Sequence, residues 1–512
     1  MKRVFVLLLF FNFFNLHSQN QTVGLFVNAN QAYQGYTLFS PNVNTYLIDN
    51  CGKLINSWNS LYNAGSSVYL LDDGSILRAC RIQNPVFSAG GGGGRVEKTD
   101  WYGNLEWSYD FSDSLYHQHH DIAPMKNGNI LILCWEYKSL SESIAAGREP
   151  NSMTDNELWS TYILEVEPIG SDSVNIVWEW RLWDHLIQDF DSTKSNYGII
   201  SQNPQLLNLN YYNGNGKNDW LHCNSINYNE ELDQIVIGSR SLSELYVIDH
   251  STTTLEASSS TGGDSNKGGD FLFRWGNPAV YNAVNTDQKL FGQHDVHWID
   301  DSHPDGGKFL IFNNGKQRGY SSVDIVSPLV DSSGNYVIDS LNMFGPLSAE
   351  WTYTSNPLQN FYSSYISGSQ RLANGNTLIC DGAHGDFFEI DSLNNIVWRY
   401  VNPVLNTYIL SQGDSIPITQ NGFGNSVFRV TRYSIDFPGF DNKDMTPSDP
   451  IELNPLPDSC IMLTTQNTYL NNKKELLKIV DLMGRNTMRI KNTIVFYIYS
   501  DGTVEKFFRL SH

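Results

Sequence analysis

Apolar and aromatic residues fall in short runs along residues 40–435, and glycine, asparagine and aspartate separate the runs. Runs of about four to eight such residues, bounded by turn-forming residues, are typical of β-strands. We find no long run with its apolar residues at helical spacing, which argues against an α/β enzyme. The pattern therefore predicts an all-β protein.

The strand-like runs form a repeat with two alternating signatures. The first is an apolar strand, a turn with Gly or Asn, and an aromatic strand that ends in tryptophan. Its six copies end at Trp58, Trp107, Trp180, Trp275, Trp351 and Trp398. The second follows each tryptophan and joins two strands. In its clearest copies the turn between the two strands contains Asp-Gly or Asn-Gly, the pairs that supply positive φ in two-residue hairpin turns.

Each repeat holds about four short strands, which is the content of one propeller blade. We therefore predict a six-bladed β-propeller whose tryptophans pack between blades. The strand within residues 428–437 is expected to close the ring against the N-terminal blade. Insertions lengthen the repeat, and we expect them to lie on loops that form the pocket walls. They lie around residues 136–160, 183–219, 254–270, 279–293 and 327–345.

Both ends of the chain differ in composition from the repeats. Lys2 and Arg3 precede the apolar run Val4–Leu16, which is the layout of a secretory signal peptide and is too short to span a bilayer. After Pro438, a turn-rich stretch leads to the strand-like pieces of a small β-sandwich-like domain. We predict a signal peptide at 1–19, the propeller at 20–440, a linker at 441–455 and a C-terminal domain at 456–512.

The net charge of −21 argues against nucleic-acid binding, because an acidic surface repels phosphate backbones. No segment after the signal peptide is long and apolar enough for a membrane span, so we expect none in the mature protein. The six cysteines show no CxxC or zinc pattern. Export would permit disulfides, and we expect Cys80, Cys134 and Cys380 to be buried strand residues.

Candidate chemistry lies on the innermost strands, which follow the tryptophans and line the central channel of a propeller. Three of them begin with histidine: His120 in HHDIAP, His222 in HCNSIN and His294 in HDVHW. Because side chains alternate along a strand, His119 is expected to face away from His120. Arg240 ends the strand IVIGSR in the blade of His222. Three histidines and one arginine form a pocket suited to a tetrahedral anion.

These residues allow other interpretations. The histidines could simply line a wet channel, or they could bind zinc. An arginine beside a metal ion adds repulsive charge, so we predict no metal, and no cofactor is expected. The run Gly90–Gly94 lacks the Lys-Ser/Thr and the helix of a phosphate loop, so we expect a tight loop close to substrate. His384 lies at a turn and is expected to be structural.

Longer stretches resemble the bacterial aryl-sulfate sulfotransferase family. The matching stretches lie within residues 90–403 and read GGGGRVEKTDWYGNLEWSYDF, HHDIAPMKNGNILIL, DWLHCNSINYNEELDQIVIGSR, GQHDVHW and SGSQRLANGNTLICDGAHGDFFEIDSLNNIVWRYVNP. The resemblance implies a six-bladed propeller that moves a sulfuryl group from a phenolic sulfate ester to an acceptor phenol, without a nucleotide donor.

The same resemblance implies roles for the site residues. His294 would be the nucleophile and would form a transient sulfohistidine, which divides one difficult step into two easier ones. His222 and Arg240 would hold the sulfuryl oxygens. His120, or its neighbour His119, would complete the anion pocket or protonate the departing phenolate. His119 and Asn224 are expected to contact substrate.

The C-terminal stretches LKIVDLMGR and YIYSDGTVEKFFRL resemble the sorting domain of type IX secretion substrates. This resemblance implies the secretion machinery as a partner and a secreted or cell-surface location. Two alternatives stay open. One is a non-catalytic surface propeller that binds a ligand or partner. The other is a quinone- or metal-dependent oxidoreductase, which requires eight blades with regular tryptophan docking motifs or a metal constellation.

Overall fold

The computed structural model describes residues 21–153, 155–211, 218–283, 287–419, 422–456, 460, 476–481, 494–499 and 504–508. The predicted signal peptide lies outside these residues. The chain divides into two compact units, residues 1–461 and residues 462–512.

The first unit is a β-propeller of six antiparallel sheets, each with four propeller strands. The strands of its first half, in chain order, are β1 (Gly24–Asn28), β2 (Gly35–Phe39), β3 (Asn44–Ile48), β4 (Leu54–Asn59), β5 (Ala64–Leu70), β6 (Ile76–Arg81), β7 (Gly94–Thr99), β8 (Leu105–Asp110), β9 (Tyr116–Pro124), β10 (Ile130–Ser139), β11 (Glu157–Ile169) and β12 (Ser173–Arg181). Strands β2–β4 belong to blade 1, β5–β8 form blade 2 and β9–β12 form blade 3.

The second half of the ring follows after a long connection. Its strands are β13 (Leu186–Ile187), β14 (Leu207–Asn208), β15 (Cys223–Asn229), β16 (Gln234–Ser239), β17 (Glu244–Asp249), β18 (Phe273–Trp275), β19 (His294–Trp298), β20 (Phe309–Asn313), β21 (Ser322–Val326), β22 (Trp351–Tyr353), β23 (Gly368–Arg371), β24 (Thr377–Asp381), β25 (Asp386–Ile390), β26 (Ile396–Val401), β27 (Ile418–Thr419), β28 (Gly422–Phe423) and β29 (Thr431–Ser434). Strands β15–β18 form blade 4, β19–β22 form blade 5 and β23–β26 form blade 6.

The two ends of the propeller chain close the ring, as the sequence predicts. Strand β29 pairs antiparallel with β2 and supplies the innermost strand of blade 1, with Gly35 opposite Ser434 and Leu38 opposite Thr431. Strand β1 pairs with β26 and adds a fifth, outermost strand to blade 6. Hydrogen bonds between distant parts of the chain thus hold the first and last blades together.

The repeat tryptophans join neighbouring blades, which confirms the predicted packing. Five of the six donate the indole N–H to a backbone carbonyl just before or at the start of the outermost strand of the next blade, at 2.7–3.0 Å. For Trp58, Trp107, Trp180, Trp275 and Trp398 the acceptors are, in that order, the carbonyls of Asp100, Ser173, Gly269, Pro346 and Asn50. The sixth, Trp351, is half-buried and lies under the guanidinium of Arg371.

The insertions carry the helices. Helix α1 (Leu140–Ala145) lies between β10 and β11, and α2 (Thr254–Ala257) lies between β17 and β18. Short 3-10 turns cover Pro150–Ser152, Leu182–Asp184, Ile200–Gln202, Pro278–Tyr281, Leu358–Asn360, Gly382–His384 and Pro438–Phe440. Within the part of the chain that the structure describes, no helix has the length and apolar content needed to cross a membrane.

The innermost strands share a distortion near their first residues. A positive φ occurs at Ser66 in β5, His120 in β9, His222 before β15, Asp295 in β19 and Ser367 before β23. The pairing register shifts across the positive-φ residue in β5, β9 and β19, and just after it in β15, between Cys223 and Ser225. A bulge of this kind changes the direction of a side chain, and here it governs which groups reach the channel.

The segment predicted as a linker packs against the propeller in its second half. The Ser448 N–H donates to the Leu54 carbonyl at 2.8 Å, and Ile451 is buried in the core of blade 6. Beyond this segment, Cys460 forms a disulfide with Cys51, in the β3–β4 turn. The free cysteines are Cys80, Cys134, Cys223 and Cys380, and all four are buried.

The second unit contains three described strands, β30 (Leu476–Asp481), β31 (Ile494–Tyr499) and β32 (Val504–Phe508). They form one antiparallel sheet in the order β30-β31-β32. A further strand-like stretch of the sequence, IMLTT at residues 461–465, lies outside the described residues. The described strands show a single sheet, so the sandwich arrangement stays a prediction.

Candidate functional site

A cavity of about 600 Å³ opens where the innermost strands begin. The histidines His120, His222 and His294 and the guanidinium of Arg240 all line it. The structure therefore brings the four predicted catalytic side chains together, from blades 3, 4 and 5. The rest of the lining consists of Ser40, Pro41, Ala64, Ser66, Arg81, Gly90, Gly91, Tyr365, Ile366, Ser426 and Phe428.

His294 is held in one tautomer by Asn314. The Asn314 side-chain amide donates to the carbonyls of Ser363 and Ile366, at 2.8 and 2.9 Å. Its oxygen must then face His294, whose Nδ1 lies 2.7 Å away and can only donate. The Nε2 atom consequently carries the lone pair. Burial, followed by the nearby charge of Arg240, holds the pKa of His294 well below 6.5, so the ring is neutral at neutral pH.

His222 is oriented by a carboxylate. Its Nδ1 lies 2.5 Å from Oδ2 of Asp219, and the other oxygen of that carboxylate accepts the Trp135 indole N–H at 2.9 Å. Burial raises the pKa of the Asp219 carboxyl, but the His222 ring and its hydrogen bond outweigh burial and bring it below 3.8. Because Nδ1 is engaged by the carboxylate, Nε2 is the nitrogen of His222 left for the cavity.

His120 and His119 are hydrogen-bonded to each other, with their Nδ1 atoms 2.9 Å apart. The prediction that these two rings point to opposite faces of the strand is wrong. The positive φ of His120 turns its ring away from the direction that strand alternation would give it. The His120 ring reaches the cavity and lies 4.6 Å from His222 between ring centroids. His119 stacks on Trp135 at 4.2 Å and does not line the cavity.

The glycine loop fits closely over these rings. A Cβ atom at Gly91 would lie 2.0 Å from the His120 ring, so a larger residue would displace the histidine. Gly90 and Gly91 line the cavity, as expected for a tight loop near the site. Burial and then the charges of His222 and its neighbours hold the pKa of His120 well below 6.5.

The charged side chains on the cavity lining all have the same sign. The lining contains two arginines, Arg81 and Arg240, and no Asp or Glu. Arg240 makes no ion pair among the described residues. Burial lowers the pKa of its guanidinium. An arginine remains charged in a protein, so an unpaired cation faces the cavity of a chain with net charge −21. Such a site favours an anionic ligand.

Carboxylates occur immediately next to the site, on the residues that follow two of the histidines. Asp121 and Asp295 both accept hydrogen bonds from the guanidinium of Arg429, which comes from the segment just before β29. The hydroxyl of Tyr69 donates to Asp121 at 2.8 Å. Burial would lower the pKa of Arg429, but the carboxylates outweigh burial and raise it well above 12.5. The negative charges of Asp121 and Asp295 are thus balanced within the protein by Arg429.

Some expectations about the site do not match the structure. Asn224 lies behind the cavity wall, where its amide donates to the Gln293 carbonyl at 2.7 Å, so it and His119 are not on the lining. None of the described residues of the five insertions lines the cavity either. The walls come from bulged strand ends and short loops instead, and the expectation that insertions form them is wrong for the described residues.

Asp219, Asn314 and Arg429 are site residues that the sequence did not predict. A signal existed for Asp219, which precedes His222 by three residues in DWLHC. His384 is hydrogen-bonded to Asp381 away from the cavity, at 2.8 Å. Over the described ranges, no group of three or more His, Cys, Asp or Glu could hold a metal ion.

Comparison with known proteins decides the family. The family model for arylsulfotransferase (ASST) matches residues 21–410, well over half of the chain. The chain belongs to the arylsulfotransferase family. It is therefore a sulfotransferase with a β-propeller fold, and the family implies small phenolic substrates. No curated protein matches the chain.

Solved structures show only weak similarity to the chain. A protein of unknown function from Bacteroides caccae is 11% identical, with a TM-score of 0.41 over 78% of this arylsulfotransferase and 99% of that chain. The Cps50 (Swd1) β-propeller domain from Myceliophteria thermophila is 9% identical, with a TM-score of 0.36 over 82% of this chain and 94% of that one. We draw no functional conclusion from likenesses this weak.

Proposed function

We propose that this arylsulfotransferase moves a sulfuryl group between phenols through a covalent intermediate on His294. One observation carries the proposal. A neutral imidazole with its lone pair on Nε2 lines a cavity that contains an unpaired arginine and no carboxylate. A nucleophile and an anion site thus occupy the same cavity, as sulfuryl transfer requires.

In the first half-reaction, the Nε2 lone pair of His294 attacks the sulfur of an aryl sulfate. The N–S bond forms as the bond between sulfur and the aryl oxygen breaks, and a phenolate departs with that electron pair. The ring keeps its Nδ1 proton and becomes positively charged. Asn314 stabilises this charge, because its oxygen accepts the Nδ1–H.

Proton transfer in both halves is assigned to His222 instead of His120, the residue that the family resemblance implied, because Asp219 orients the His222 ring. In its protonated form the ring gives its Nε2 proton to the departing phenolate, while Asp219 holds Nδ1. It then takes a proton from the acceptor phenol, whose oxygen attacks the sulfur. The S–N bond breaks, His294 regains its lone pair, and an aryl sulfate leaves. One proton and one sulfuryl group have changed phenols.

Arg240 and His120 are assigned to the sulfuryl oxygens. The guanidinium of Arg240 presents several N–H groups and keeps its charge. Because burial has already removed much of its water, the attraction to an anion is stronger than at the surface. We expect this attraction to increase as charge shifts within the transferring group in the transition state.

The test is incubation of the purified protein with p-nitrophenyl sulfate and an acceptor phenol. We expect release of nitrophenolate and formation of the acceptor's sulfate ester. His294→Ala should reduce release by at least about 10³-fold, because the covalent route is lost. His297→Ala is the matched control, since His297 lies on the same strand but not on the cavity.

Release that survives His294→Ala would contradict the assignment of the nucleophile. Failure of every aryl sulfate to react, with a correctly folded protein, would favour the alternative of a surface propeller that only binds a ligand.

A further inference from the structure

The cavity carries a second arginine that the sulfuryl site does not require. Arg81 ends β6 in blade 2, and Arg240 directly follows β16 in blade 4. The residues before them, Cys80 and Ser239, pair with the equivalent residues Ala64 and Cys223 of the innermost strands. The two arginines therefore occupy the same position in the propeller repeat.

Backbone hydrogen bonds confirm this equivalence. The Arg81 N–H donates to the Asn63 carbonyl at 2.8 Å, and the Arg240 N–H donates to the His222 carbonyl at 3.2 Å. Asn63 and His222 each directly precede the paired residue of the innermost strand. Blades 2 and 4 thus direct one arginine each towards the same cavity, on either side of His120 in blade 3.

The Arg81 side chain is fixed at one end and unpaired at the other. Its Nε–H donates to the Gly92 carbonyl at 3.2 Å, which places the guanidinium over the glycine loop that covers His120. Among the described residues, its two terminal nitrogens have neither a hydrogen-bond acceptor nor a carboxylate partner. The planar end of the side chain is therefore available to a ligand.

A second, smaller hollow of about 200 Å³ begins at Arg81. The glycine loop separates it from the first: Gly90 and Gly91 face the cavity of the histidines, while Ala89 and Gly92 face the smaller hollow. Like the larger cavity, the smaller one has no Asp or Glu in its lining. Arg81 thus lies at the junction of two hollows that both lack negative charge.

The size of the main cavity exceeds what the reacting groups need. A volume of about 600 Å³ lies in the range that drug-sized ligands occupy, well above that of a simple phenol. Pro41, Ile366 and Phe428 also line the cavity, and their apolar side chains offer a surface for an aromatic ring. Arg81 would then meet a substituent on the far side of that ring.

We propose that the phenolic substrate carries a carboxylate, and that Arg81 binds this carboxylate while the phenolic oxygen lies at His294. This inference rests on the proposed function for the orientation of the ring. The guanidinium fork matches a carboxylate with two parallel hydrogen bonds. Since Arg81 is exposed to water, the gain is smaller than for a buried pair.

The test is calorimetric titration with 4-hydroxyphenylacetate and with its uncharged methyl ester. Wild-type protein should bind the acid roughly tenfold more tightly than the ester. Arg81→Gln should abolish the difference, and Arg81→Lys should restore part of it. Lys126→Gln, which removes a positive charge far from both hollows, should keep the full preference. Equal binding of acid and ester by the wild type, or a preference that survives in Arg81→Gln, would overturn the proposal.

A turnover measurement separates this inference from the proposed function. With p-nitrophenyl sulfate as donor, Arg81→Gln should raise the KM of the acid relative to the KM of the ester roughly tenfold, whereas Lys126→Gln should keep the wild-type ratio. Absence of turnover would contradict the sulfuryl-transfer mechanism, while the titration would still decide whether Arg81 binds the carboxylate.

Discussion

Two arginines close to the same histidines are treated in opposite ways by the fold. Arg240 lines the cavity and makes no ion pair within the described part of the chain. Arg429 lies between Asp121 and Asp295, the residues that directly follow His120 and His294. The bulges in the innermost strands create this division, because they direct the histidines to the cavity and the aspartates to Arg429.

The difference assigns separate tasks to two similar side chains. A buried cation with carboxylate partners ties strands together, and Arg429 ties the innermost strands of blades 3 and 5 to the closing segment of the chain. A buried cation without partners costs stability in the free protein and is compensated when an anion binds. The positions of the carboxylates therefore distinguish the structural arginine from the functional one.

Loss of Arg429 should have the largest effect on stability. Arg429→Met leaves two buried carboxylates without a cation, and we expect the free energy of unfolding to fall by about 3–5 kcal/mol. Urea denaturation measures this change. Arg399→Met, which removes a more exposed partner of Asp386, is the control and should cost about 1 kcal/mol or less. A loss at position 429 no larger than at 399 would show that the central ion cluster is not structural.

Arg240→Met should show the opposite profile. Removal of an unpaired buried cation should leave the free energy of unfolding unchanged or slightly higher. We expect kcat for nitrophenolate release to fall by about 10²–10³-fold, as when one donor to a developing anion is removed. Equal losses of stability in the two arginine variants would contradict the division of tasks.

Asn314 tests whether orientation of the nucleophile matters. Asn314→Ala removes the acceptor for the His294 Nδ1–H and should lower kcat by about 10- to 100-fold, with KM for the donor nearly unchanged. Initial rates over a range of donor concentrations separate the two constants. A change confined to KM would mean that Asn314 acts through substrate binding.

We expect pH to have a smaller effect, which acts on the free energy of unfolding. His120 and His294 have pKa values well below 6.5 in the folded protein, mainly because they are buried, and near 6.5 when unfolded. Below about pH 6.5 the unfolded chain binds more protons, so lowering the pH favours unfolding. Each ring should contribute up to about 1.4 kcal/mol per pH unit. His250 has a raised pKa, so its contribution to the free energy of unfolding changes with pH in the opposite direction.

Melting temperatures of the wild type and of His294→Gln, measured from about pH 6.5 downwards, check the sign of this pH dependence. The variant should lose less stability on acidification, because one of the neutral buried rings is gone. A steeper loss in the variant would contradict a depressed pKa at His294.

The sequence predicted the blades well because each repeat contains its own strand and turn signals. The tryptophans mark one fixed position, and the closing strand follows from its place after the last repeat. The four cavity residues were found because each lies at a repeat position, three at the start of an innermost strand and Arg240 at the end of the next.

The surroundings of the site could not be predicted in the same way. Asn314 and Arg429 are recognised only once distant strands meet, and no local pattern marks them. The alternation rule failed at His120 because a positive φ at a non-glycine residue has no reliable sequence signal. The sequence points to the insertions as cavity walls because inserted residues lie on loops and loops often form the binding face, whereas the fold uses bulges and short loops there.

The most direct measurement is to trap the sulfurylated enzyme. The protein would be mixed with radiolabelled p-nitrophenyl sulfate without acceptor, quenched rapidly in alkali and digested for mass spectrometry. We predict that one sulfuryl group is attached to the peptide that contains His294, and that addition of phenol before the quench removes it. A label on a different residue, or steady turnover with no labelled peptide, would contradict the covalent role of His294.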